Sequence, residues 1–131
     1  MKQKIVNRAA QIASALLPQT RGMRASHAAF LIRKGKIEKI GLNKPKTHPR
    51  IPEHPYHEGY VGIHAELDCI LKVDKEDLSD YKMLVLRVGR DEKLTMSKPC
   101  PGCQSLLRQF GLTDVWYSNY KGEIEKLWNT F

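Results

Sequence analysis

Acidic residues are nearly missing from the first part of this chain. Residues 1–50 hold 12 lysines and arginines and a single acid, Glu38, whereas residues 51–131 hold 10 basic residues against 13 acidic ones. Aromatic residues are also sparse, at 8% of 131, which leaves few platforms on which unstacked bases could lie. The cysteines are three, Cys69, Cys100 and Cys103, and so small and odd a number argues against a disulfide scaffold. No apolar run approaches the roughly 18 residues that a bilayer-spanning helix needs. Residues 1–17 start basic and turn apolar, but Asn7, Arg8 and Gln11 break the run, unlike a secretory leader. The expectation is a cytoplasmic protein with no membrane partner. Repeats and low-complexity tracts are absent as well.

What is present fits one domain over 1–131. At 41% hydrophobic and 27% charged residues the composition is that of an ordinary globular protein. A chain of this length buries about two-thirds of its unfolded surface and needs no staples. The net charge of +8 is gathered in the first half. It is either a solubilising surface or an electropositive face that attracts phosphate, on a nucleotide or along a polynucleotide.

Ile5, Ala9, Ile12 and Leu16 recur at helical spacing, which predicts an amphipathic helix over residues 1–17, stopped by Pro18. A loop follows over Gln19–Ser26. His27–Arg33 and Lys36–Leu42 read as strands joined at Lys34-Gly35 into an antiparallel hairpin. Asn43–Gly62, rich in proline, histidine, glycine and charge, reads as a long loop, of the kind that is functional or mobile. His64–Val73 reads as a mostly buried helix, and Tyr81–Val88 as a continuous apolar strand from the middle of a sheet. Pro101–Phe110 is predicted as a helix ended by Gly111, Val115–Asn119 as a short strand, and Glu123–Trp128 as a final helix. This order implies an α/β domain of three layers, a mixed central sheet with helices on both faces. The two later strands are each reached through a helix and should be parallel.

Two segments carry the chemistry: His64-Ala65-Glu66 and Pro99-Cys100-Pro101-Gly102-Cys103. A catalytic zinc takes three protein ligands and keeps a fourth position for water. One imidazole and two thiolates supply that set, and the positive end of a helix favours the thiolate forms. Glu66, two residues after His64, lies on the same side of the first helical turn and can reach the water without binding the metal. Each segment alone is a weak signal, since C-x-x-C also serves redox pairs and structural zinc sites. A structural site needs a fourth strong ligand. The remaining cysteine, Cys69, falls on the apolar face of the helix after His64 and reads as core. H-x-E followed by P-C-x-x-C, in this order and with a strand between, is the pattern of zinc deaminases.

On these residues the chain resembles the cytidine/deoxycytidylate deaminase superfamily, over about residues 27–120. HAELDCIL resembles the family's HAE helix, and SKPCPGCQSLLRQFGLTDVWYSN resembles its second zinc motif with the helix and strand that follow. The resemblance implies the three-layer cytidine deaminase-like fold, a zinc ion (Zn2+) held by His64, Cys100 and Cys103, and Glu66 as the catalytic proton shuttle. It also implies that Gly41-Leu42-Asn43 is the family's Gly-x-Asn segment, with Asn43 contacting sugar or base. Ala65 would then lend its backbone to ring recognition. A simple turn role is the alternative for Asn43.

Tyr117-Ser118-Asn119-Tyr120 is similar to the strand end of the deoxycytidylate branch. Two features depart from the family. KPKTHPRIPEHPYHEGYVG does not follow its small-residue and proline motif, and little chain is left for a fifth strand after the last helix. A reduced version of the fold is therefore expected. His48, His54 and His57 match no tight ligand spacing, so they are expected in a loop over the active site and not around a second metal.

The activity implied is zinc-dependent hydrolytic deamination of a nucleobase in a free nucleotide or nucleoside, cytosine to uracil of the dCMP kind. Similar enzymes are usually homo-oligomers. The basic first half supports an alternative, an enzyme editing single-stranded DNA or RNA, tRNA adenosine included. A silent zinc-stabilised binding module is a third reading, but such a module has no use for Glu66.

Overall fold

A computed structural model describes residues 1–16, 27–43, 64–89, 91 and 93–128. The loop expected at Gln19–Ser26 and the histidines His48, His54 and His57 lie outside the described residues. The elements are α1 (Gln3–Leu16), β1 (His27–Arg33), β2 (Lys36–Leu42), α2 (Ala65–Leu71), β3 (Lys82–Val88), β4 (Leu94–Thr95), α3 (Pro101–Gln109), β5 (Val115–Ser118) and β6 (Ile124–Lys126).

The hairpin turns on Lys34 and Gly35, both with positive φ (53° and 73°). That pair of conformations matches the right-handed twist of the strands it joins. The sheet runs β2-β1-β3-β5-β6, with β4 paired to the end of β3 at Arg87 and Val88. β3 and β5 are parallel, as expected of strands linked through a helix, and the other pairs are antiparallel.

Alternation along β1 and β3 sorts their side chains onto two covered faces. Ala28, Phe30, Ile32, Leu84, Leu86 and Val88 pack against Val6, Ala9 and Ala13 of α1. Ala29, Leu31, Met83 and Val85 pack on the opposite side against Ala65, Cys69 and Ile70 of α2 and Leu107 of α3. With both faces buried, these strands read as unbroken apolar runs. The result is the predicted three layers: α1, the mixed sheet, then α2 with α3.

The expected helix over Glu123–Trp128 is instead a turn into β6, antiparallel to β5. The Asn119 side chain builds the turn, its Oδ1 accepting from the Lys121 and Glu123 amides at 2.9 Å each. The chain then folds back onto the open edge of β5. There Ile124 packs beside the α1 face and Leu127 beside the α2–α3 face, a two-residue alternation. Edge pairing outweighs the helical preference of the short Glu-Ile-Glu-Lys run. With β4 and β6 the sheet has six strands among the described residues, so the reduced fold expected from the sequence is not what forms.

Candidate active site

Two helix starts meet on the α2–α3 side of the sheet. His64 caps α2 in an extended conformation (φ −69°, ψ 152°), and its carbonyl accepts the Asp68 amide at 3.0 Å. Cys100 caps α3 in the same way (φ −67°, ψ 161°), with Pro101 at the first helical position, where its missing N–H costs nothing. Cys103 follows one turn on. The Gln104 amide donates to the Cys100 carbonyl at 2.9 Å, and its side chain donates to the Pro99 carbonyl at 2.8 Å.

These starts bring His64 Nδ1 to 3.1 Å from Cys103 Sγ and 3.8 Å from Cys100 Sγ. All three donor atoms lie within 4.8 Å of one another. Tetrahedral zinc, with Zn–N of about 2.05 Å and Zn–S of about 2.3 Å, sets its nitrogen and sulfur ligands about 3.6 Å apart. The two observed separations straddle that value, so the three residues fit a zinc ion. Glu66 is buried beside this cluster but outside the donor set.

No family model and no curated protein matches the sequence. Solved structures match its fold. A dCMP deaminase from the cyanophage S-TIM5, in complex with dCMP and dUMP, is 18% identical and superposes with a TM-score of 0.62 over 92% of this chain and 85% of that one. The fold is that of the cytidine and deoxycytidylate deaminases. Cytidine deaminases from Burkholderia pseudomallei (14% identity, TM-score 0.55, 91% of this chain and 89% of that one) and Mycobacterium leprae (17%, 0.54, 90% and 89%) share it.

Within this deaminase fold the cluster has a definite electrostatic state. A hydrogen bond from the Cys103 thiol holds Cys100 well below the ordinary thiol range, and His64 adds to the effect. Cys103, which keeps the shared proton, is raised well above that range by the same bond. Burial pulls His64 down, but its bond to Cys100 and the Glu66 carboxylate outweigh this and leave it raised. Burial raises Glu66 too, with His64 opposing. Cys69 is no part of the cluster: it is fully buried, donates to the Lys39 carbonyl at 3.5 Å, and is pushed up to about 12 by desolvation.

Ala65 adjoins this centre, and Asn43 braces the strand that carries His27. Ala65 is buried between His64 and Glu66, and its carbonyl faces Gly41. A Cβ at Gly41 would collide with that carbonyl and with the Cys69 backbone, so only glycine lets β2 lie this close to α2. Asn43 is buried, and its Oδ1 accepts the His27 amide at 3.0 Å, tying the end of β2 to the start of β1.

Several residues that hold the site were not evident from the sequence. Asp68 is buried in α2, accepts the Leu42 amide at 2.9 Å and pairs with Lys72 at 3.4 Å. Lys72 in turn donates to the Ile40 carbonyl at 2.6 Å. The two clamp the last residues of β2 onto α2. Ser97, three residues before Cys100, donates to the Val85 carbonyl and accepts the Ser118 amide at 3.0 Å, while its own amide donates to Ser118 at 2.8 Å. That pair pins the loop before α3 to the sheet.

His27 is half-buried at the start of β1, and its imidazole is lowered to about 4 by desolvation, then by the charges of Arg87 and His64. Its parity with Ala29 and Leu31, which places it on the α2–α3 face, is the one signal the sequence carried.

Proposed function

We propose that this protein is a zinc-dependent hydrolytic deaminase that converts cytosine to uracil in a free nucleotide or nucleoside, of the dCMP kind. The supporting observation is a carboxylate, Glu66, buried beside three metal donors without joining them, in a fold shared with dCMP and cytidine deaminases. His64, Cys100 and Cys103 would hold the ion. A zinc ion there supplies Lewis-acid chemistry, bringing the pKa of water toward about 7.

Glu66 takes a proton from the attacking water. It passes that proton to the ring nitrogen, then takes the second proton from the hydroxyl so formed and gives it to the departing amine, so the C–N bond breaks, ammonia leaves and a carbonyl remains. Its buried surroundings favour the protonated form it must adopt between transfers. Asn43 and the backbone at Ala65 line the approach to the ring and orient it.

The placement of the described cations of residues 1–50 favours a monomer over a polynucleotide. A polynucleotide enzyme needs a track of cations beside its catalytic centre. Among the described residues, Lys4 and Arg8 belong to α1 and Lys2 precedes it, across the sheet from the metal donors, while Lys39 stands alone mid-strand in β2, paired with Leu31. Arg33, Lys34 and Lys36 lie at the hairpin tip, the far end of β1 from His27, about 20 Å away at 3.3 Å per residue. Arg33 is moreover paired with Glu38 at 3.0 Å.

The test is ammonia release from dCMP, dCTP, deoxycytidine, dAMP and dGMP, beside cytosine- and adenine-containing oligonucleotides, at two salt concentrations. A cytosine monomer should be turned over with only modest salt dependence. Rapid oligonucleotide deamination with steep salt dependence, and none on any monomer, would give the site to nucleic-acid editing instead.

A further inference from the structure

One transverse row of the sheet is polar where the rows below it are apolar. His27 in β1 pairs with Arg87 in β3, and Arg87 pairs with Thr95 in β4. Asn43, just past β2, closes the row through its bond to the His27 amide. The preceding row on this face is Gly41, Ala29 and Val85, which packs against α2 and α3. By the two-residue alternation of strands, the His27, Arg87 and Thr95 side chains share that face, which also carries the metal donors.

Arg87 differs from Arg8, which is exposed, and from the two partnered arginines of the described residues. Arg33 has Glu38, Asp80 and the Tyr81 ring, and Arg108 lies over the Trp128 ring. Arg87 is half-buried, and no ion pair among the described residues involves it. A partly desolvated guanidinium without a carboxylate is a costly thing to keep unless an anion visits it. Its planar fork suits two oxygens of one phosphate. Cross-strand neighbours stand about 5 Å apart, so His27 and Thr95 are the positions on either side of Arg87 on this face, and both carry polar groups that can serve a bound phosphate.

We infer that Arg87, flanked by His27 and Thr95, binds the phosphate of the substrate, which makes the preferred substrate a mononucleotide and not a nucleoside. This rests on the deaminase reading above and narrows it. A nucleotide carries its reacting base and its phosphate at the two ends of one sugar. His27 occupies the intervening position: Arg87 is its strand neighbour, and His64 and Cys100 both act on its imidazole. The base then reaches Glu66 while the phosphate reaches Arg87.

The test compares the intact protein with Arg87→Met and Arg87→Lys. For each, kcat/KM is measured for dCMP, deoxycytidine and a cytosine-containing oligonucleotide. The dissociation constants of dCMP and deoxycytidine are measured on the zinc-loaded Glu66→Gln form. The intact protein should favour dCMP, and Arg87→Met should lower the dCMP-to-deoxycytidine ratio by roughly 10- to 100-fold in both turnover and binding. Lysine should restore part of the ratio, since it keeps the charge and loses the fork. A parallel loss on both substrates, or an intact protein indifferent to the phosphate, would overturn the inference. Turnover of oligonucleotides alone would overturn it while leaving deamination in place. Arg87-dependent dCMP binding without any deamination would do the reverse, keeping the phosphate site and removing the deaminase reading.

Discussion

Gly41→Ala tests whether α2, which carries Glu66, is held against β2 by direct backbone contact. The added Cβ would lie 2.7 Å from Cys69 Cα, and closer still to the Cys69 amide nitrogen and the Ala65 carbonyl oxygen. Non-bonded carbons settle at about 3.5–4.0 Å, so β2 and α2 would have to part by about 1 Å. Neither can yield by turning a side chain, because every obstacle is backbone. The helix is also tied to β2 through Asp68 on Leu42 and Lys72 on Ile40. Inserting a methyl into a packed site costs about 1–3 kcal/mol. With rigid obstacles on each side, we place this substitution near the top of that range, at about 3 kcal/mol.

His64 and Glu66 flank Ala65, so the displacement also moves the proposed metal ligand and the proposed proton carrier. Urea unfolding, zinc content and ammonia release read these effects together. Gly35→Ala is the control: its Cβ meets nothing within 4 Å, and its strain comes from φ of +73° alone. That should cost about 1–2 kcal/mol and leave turnover intact. A Gly41→Ala protein within about 0.5 kcal/mol of the parent, with full zinc and normal turnover, would refute the reasoning.

Ser97→Ala leaves the Val85 carbonyl and the Ser118 amide without their buried partner, and should cost roughly 1–3 kcal/mol in urea unfolding. An unchanged midpoint would show that the pair does not pin the loop before α3. In metal-free protein at neutral pH, iodoacetamide should label Cys100 well before Cys69, because Cys100 is held as thiolate and Cys69 is pushed up to about 12. Mass spectrometry showing Cys69 modified first would contradict that order, and added zinc should protect Cys100. Asn43→Ala should lower kcat/KM by roughly 1–3 kcal/mol with a small change in Tm. A large Tm loss with unchanged kinetics would confine Asn43 to bracing β1 against β2.

The residues that meet at the centre were legible because their chemistry is spaced for one purpose. His64 with Glu66, and Cys100 with Cys103, open helices, and a helix start fixes where such side chains point. The hairpin was legible at Lys34-Gly35, and the parallel pairing of β3 and β5 followed from the helix between them. What failed was decided by distant parts of the chain. Ile124–Lys126 carries too few residues to show a period, and only the open edge of β5 makes it a strand. Leu94–Thr95 is two residues long and exists because β3 extends past β5. His27, Asp68, Ser97 and Arg87 look like ordinary surface residues in sequence. Asp68 and Ser97 lie inside the two motif segments and His27 and Arg87 lie in strands, but only register and burial show what each side chain faces.

The central claim is that Glu66 moves protons beside a metal that other residues hold. The most direct measurement is the rate of ammonia release from dCMP per bound zinc, for the intact protein and for Glu66→Gln. Both forms should carry about one zinc per chain, and the glutamine form should be slower by on the order of 10²–10⁴ or more. A glutamine form that matches the intact rate, or an intact zinc-loaded protein that releases no ammonia from any cytosine monomer, would contradict the account.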